Sequence, residues 1–152
     1  MAWFATAFTD DDSVALGVTF GVSDAQQVAE ALAILFGLRA WAPQLAGQSA
    51  RISVRSDSVS ALTMVAKMRA KTPQSSTIAR ELALSMAIHD VRPRVVAHTP
   101  GVANVLADLL SRRFQPGVVW QVPPELAAVT ETVIETVRTD YYQTTAEQKD
   151  EL

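Results

Sequence analysis

The chain has no cysteine and only two histidines among its 152 residues. No disulfide can form, and neither a thiolate zinc site nor a histidine-rich metal site can be built. Any metal held here would rest mainly on carboxylates, which suits a hard ion such as Mg²⁺ or Mn²⁺. No segment approaches the roughly eighteen uncharged apolar residues of a membrane-crossing helix, so no membrane partner is expected. The opening MAWFATAF is apolar but lacks a basic start and runs directly into TDDD, so it does not read as a signal peptide. The final KDEL, Lys149 to Leu152, then reads as a chance match to an endoplasmic reticulum retention signal. A thiol-free chain is compatible with a reducing compartment, and the cytoplasm or nucleus is expected.

What is present describes a globular domain. Hydrophobic residues make up 49% and charged residues 19%, enough to bury a core and too apolar for disorder. The net charge of −3 argues against nucleic acid until it is divided along the chain. Residues 1–50 carry one basic and five acidic side chains, residues 51–113 ten and four, and residues 114–152 two and seven. The middle segment is therefore basic by six charges, and phosphates could be held there. Its densest point is KMRAK, with Lys67, Arg69 and Lys71 as candidate nucleic-acid contacts. By charge alone, a solvated helix end explains KMRAK equally well.

Pattern places the elements. WFATAF (3–8) and VALGVTFG (14–21) are short aromatic and β-branched runs around TDDDS, which predicts an antiparallel hairpin. Ser23 and Gln26 form a capping-box pattern opening a helix that stops at or before Pro43. Val28, Leu32, Leu35 and Leu38 give that helix one apolar face. ARISVRSD reads as a buried strand ending at Asp57, and SVSALTMVAKM as a helix with Val59, Leu62 and Val65 on one face. Then follow a helix in STIARELALSMAIHD, a strand in RPRVVAHT and a helix in ANVLADLLSRR. The order predicts a mixed α/β domain over 1–113. From Phe114 three prolines and an acidic amphipathic stretch read as a linker plus one helix within 114–152.

The chemistry-bearing residues are spread over these elements. Glu30 lies in the first helix, Asp57 ends a strand, and Asp108 lies in the last helix of the block. HTPGVANVLADLLSR places His98, Asn104 and Asp108 at intervals of six and four where a Pro-Gly break turns into a helix. Each carboxylate alone is an ordinary solvated side chain. Together, carboxylates delivered from different elements are what two Mg²⁺ ions about 4 Å apart require to clamp a phosphodiester.

These three stretches, AEALAILFGLRAW, VRSDSVSAL and HTPGVANVLADLLSR, in this order, resemble the ribonuclease H-like domain of retroelement reverse transcriptases. The resemblance covers about residues 3–113 and implies a ribonuclease H-like mixed sheet with flanking helices. It implies that Glu30, Asp57 and Asp108 are three of four metal-binding carboxylates for two Mg²⁺ or Mn²⁺ ions. It further implies that His98 assists proton transfer or product release, and that Asn104 lies near the minor groove of the hybrid. The implied partners are an RNA–DNA hybrid and the rest of a retroelement polyprotein. His89, beside Asp90 at a helix end, matches no motif and reads as structural.

One departure from the family pattern matters. The fourth carboxylate belongs on a first strand, and only two strands are expected before Glu30. Asp10, Asp11 and Asp12 fall in the turn between them, so the first strand is expected upstream of Met1 and the domain reads as truncated at its N-terminus. Three readings stay open. They are a hybrid ribonuclease active only in the full-length protein, a catalytically dead nucleic-acid-binding module, and a degenerate retroelement remnant.

Overall fold

The computed structural model describes residues 1–134 except 46 and 48. It is a mixed α/β structure with nine regular elements among the described residues. They are β1 (Ala2–Trp3), α1 (Asp10–Leu16), α2 (Ser23–Leu45), β2 (Arg51–Ser56), α3 (Val59–Lys67), α4 (Pro73–Ile88), β3 (Arg92–His98), α5 (Val105–Ser111) and β4 (Thr130–Glu131). The strands form two separate parallel pairs, β1 with β4 and β2 with β3. No helix among the described residues is long and apolar enough to cross a membrane.

The expected hairpin at the start is replaced by a helix. Thr9 caps α1: its hydroxyl accepts from the Asp12 amide, while the Asp12 carboxylate accepts from the Thr9 amide at 2.8 Å. Three aspartates in the first turn complement the partial positive charge at a helix start. Gly17, at φ 64°, ends the helix in the left-handed conformation that glycine adopts without penalty. The cap, acidic turn and terminal glycine outweigh the β-branched residues that suggested a strand over 14–21. Phe8 and Phe20 still meet, stacked at 4.2 Å, across this helical bridge.

α2 also departs from expectation by running through Pro43 to Leu45. Proline in a helix loses its own backbone bond and its ring crowds the carbonyl four residues back, a cost met here where only two further residues of the helix follow. Packing holds the last turn in place: Ala42 is buried, Trp41 lies 5.6 Å from Phe4, and its indole donates to the Thr132 hydroxyl at 3.1 Å. The predicted apolar face is observed, with Val28, Leu32, Leu35 and Leu38 all buried. Phe36, Leu32 and Leu35 meet Val65 of α3 and Ile78 and Leu82 of α4 in one core. Val59, expected on the apolar face of α3, points to solvent at 65% exposure.

α2 and α4 are also joined by charge. Glu81 is fully buried, and its carboxylate accepts from Arg39 at 2.8 Å and from Arg80 at 3.2 Å. Arg39 donates a further bond to the Ser85 hydroxyl at 2.7 Å. A buried carboxylate is tolerated because two guanidinium groups satisfy it.

The chain leaves β2 through α3 and α4 and returns in β3, with α3 packed on both strands. The register slips between Ile52 and Ser53, opposite Pro93. Proline has no amide to donate, and a bulge absorbs the missing rung. β2 was expected to be buried, yet its residues alternate between exposed and half-buried. Among the described residues it pairs with β3 alone, which leaves its other edge without a strand.

Residues 114–134 fold back onto the N-terminus. β4 lies beside β1, the Trp3 indole donates to the Val129 carbonyl at 3.1 Å, and Ile134 joins the core. Arg113 stacks within 5.1–5.7 Å of Trp3, Phe114 and Trp120 and pairs with Glu131. This cation–aromatic cluster ties the segment to the first strand of the fold. Of the stretch 114–152, in which a helix was expected, the described part holds a short 3-10 turn and β4, and residues 135–152 lie outside the described residues.

Candidate nucleic-acid interface

Parallel strands place their C-terminal ends side by side, and this sets the geometry of the candidate site. Ser56 pairs with His98, and the Thr99 amide donates to the Ser56 carbonyl at 2.8 Å. Asp57 follows Ser56 immediately and precedes Ser58, whose hydroxyl caps α3 by accepting from the Ala61 amide at 3.2 Å. The Asp57 carboxylate is exposed and faces the loop after β3: a Cβ at Gly101 would lie 3.7 Å from its Oδ2. Asp57, the exposed His98 and the turn at Gly101–Ala103 thus share one edge. Ligands of open α/β folds bind outside the carboxyl ends of their strands.

Asn104 is half-buried at the start of α5, and its side chain makes no capping bond there, although its carbonyl accepts from the Asp108 amide. Asp108 is engaged by Arg112, one turn later, through two bonds at 3.1 and 3.3 Å. Both side chains are more than half exposed, so this i,i+4 pair is a solvent-screened contact. Glu30, half-buried on α2, accepts from Gln26 at 3.2 Å. His89 closes α4 as its C-cap residue.

The donor set has the oxygen chemistry a hard cation prefers, but its arrangement does not suit one. Among the described residues no three side chains of His, Asp and Glu come together as a group able to hold a metal. Asp57 lies with the His98 loop, whereas Glu30 and Asp108 are each occupied by a neighbour on their own helix. These residues do not fit a two-ion centre in this arrangement.

The basic cluster is open to solvent. Lys67 ends α3, and Met68, at φ 49°, turns the chain so that the exposed Arg69 and Lys71 precede the start of α4. Arg69 and Lys71 line an open cavity of about 340 Å³ together with the hydroxyl side chains of Ser60, Thr63, Thr72 and Ser75. Cations and hydroxyls beside one another are the groups that hold phosphate oxygens. Sequence reasoning missed the Arg112 partner of Asp108, although an Asp–Arg spacing of four is the ordinary signal for a helical pair. It also missed the Arg113 cluster, whose aromatic members Trp3 and Trp120 lie more than a hundred residues apart and carry no local signal.

No protein-family model matches the chain, no curated protein matches it, and no solved structure matches it.

Proposed function

We propose that the chain is a ribonuclease H-like domain of a retroelement reverse transcriptase, and that as it stands it binds an RNA–DNA hybrid without cleaving it. The observation that carries this reading is the edge shared by Asp57 and the His98 loop, formed by parallel strands in the motif order of that family. Arg69 and Lys71, with the hydroxyls around their cavity, and Lys67 at the end of α3 supply phosphate contacts. On this reading the two-metal hydrolysis of the RNA strand belongs to the full-length reverse transcriptase. The dispersed Glu30, Asp57 and Asp108 favour binding over cleavage for this chain.

The test is hybrid affinity measured against salt concentration. Replacing Lys67, Arg69 and Lys71 with glutamine is expected to weaken binding and to flatten the log–log salt dependence. The slope should fall by about one unit for each phosphate no longer neutralised, up to roughly three. An unchanged slope removes this patch from the interface.

A further inference from the structure

α5 has no buried residue, which is unusual for a helix made largely of leucine, valine and alanine. Val105 is 56% exposed, and Leu106 and Leu109 are each 39% exposed. Positions i, i+1 and i+4 lie on one side of a helix, so these three form a stripe. The Trp120 indole donates to the Leu109 carbonyl at 2.7 Å and so draws the following loop alongside that stripe. The loop adds Phe114, Val118, Val119 and Val122, at 42–92% exposure.

We propose that this face is the contact between two copies of the chain, joined about a twofold axis. Size is the first argument. At these exposures the seven residues, backbone included, present on the order of 600 Å², the size of the largest patch on a typical monomer. A standard interface takes about 800 Å² from each partner, so these residues would make up most of one side of it. Charge is the second argument. Asp108 and Arg112 flank the stripe, one turn apart. An antiparallel crossing of two α5 helices centred near Leu110 would set each Asp108–Arg112 pair against the reversed pair of the second copy, so the face is complementary to itself as a twofold contact requires. This pairing does not depend on the hybrid-binding reading, because it uses neither the Asp57 edge nor the Lys67–Lys71 cluster.

Sedimentation equilibrium of the full chain from about 1 to about 200 µM, a range spanning micromolar dissociation constants, tests it. The expected result is twice the monomer mass at the upper concentrations. The Leu106→Asp, Leu109→Asp double variant and, separately, Val119→Asp should raise the dissociation constant at least tenfold while each still melts cooperatively at about 1 µM, where the chain is largely monomeric. A wild-type chain that remains monomeric at the top of that range overturns the proposal. So does a dimer that survives both variants, an assembly larger than two, or a variant that loses its cooperative melt, since that would make these residues part of the monomer's core. A chain ending at residue 134 that dimerises where the full chain does not would overturn it as well, by showing that the chain covers its own face.

Discussion

Replacing Arg39 with methionine tests how α2 and α4 are joined. The substitution keeps the length and apolar stem of the side chain, removes the 2.8 Å bond to the fully buried Glu81, and leaves Ser85 without its Arg39 bond. Removing one member of a buried ion pair costs about 3–5 kcal/mol, because the other charge stays desolvated. Two features place the expected cost near the lower end, at about 3 kcal/mol. Arg80 still reaches the second carboxylate oxygen, although it is 55% exposed and its attraction is screened. Ser85 can turn its hydroxyl to a carbonyl of its own helix. For a chain of this size, about 3 kcal/mol corresponds to a fall in melting temperature of roughly 6–12 °C. The assay is urea denaturation followed by circular dichroism. Because the chain has no cysteine, no disulfide reshuffling can intrude. The double variant Arg39→Met, Glu81→Leu removes both charges and is expected to cost under about 1.5 kcal/mol, less than the single change. A single variant within about 1 kcal/mol of wild type, or a double variant worse than the single, would refute the reasoning.

Other substitutions probe the remaining contacts. Thr9→Ala removes the hydroxyl that caps α1 and should cost about 1 kcal/mol in urea denaturation, whereas a hairpin in its place would be nearly indifferent to the change. Gly37→Val should destabilise by about 1–3 kcal/mol, since even a Cβ there would sit 3.3 Å from both Phe4 and Trp41; a neutral effect would show that the N-terminal segment does not lie on α2. Trp3→Ala removes a buried indole bonded to Val129 and should cost about 3 kcal/mol or more while hastening proteolysis within residues 114–134. Equal proteolysis of the two proteins would sink the idea that Trp3 fastens that segment.

Strong local patterns carried much of this fold. The apolar spacing of Val28, Leu32, Leu35 and Leu38 needed no tertiary knowledge, and those side chains are the buried face of α2. The α3–α4–β3 succession was equally legible from the apolar pattern and the β-rich run Arg92–His98, although α4 starts at Pro73, capped by Thr72, three residues before the expected Ser76. The first twenty residues were misread because β-branched content was weighed above capping. Thr9 and Asp12 have the spacing of a capping box, but with aspartate in place of the usual glutamate or glutamine. Pro43 misled for a different reason: whether a final helical turn survives depends on Trp41 and Thr132, which are 91 positions apart. The neighbourhood of Asp57 and the His98 loop follows from two strand ends joined by helices, which pattern can anticipate. The ion pair of Asp108 with Arg112 has the spacing of four that signals a helical pair and was passed over, whereas nothing in the sequence indicated that α5 would be left uncovered.

The proposal that this chain holds an RNA–DNA hybrid and leaves it intact has two parts. One incubation measures both parts: the full chain with an end-labelled hybrid in Mg²⁺, resolved on a native gel for the complex and on a denaturing gel for the RNA strand. The expected result is a shifted complex that weakens steeply with salt and contains full-length RNA. Absence of any complex at low salt would contradict the binding. Cleaved RNA, abolished by Asp57→Asn, would contradict the other half by showing that Glu30, Asp57 and Asp108 gather around metal after all.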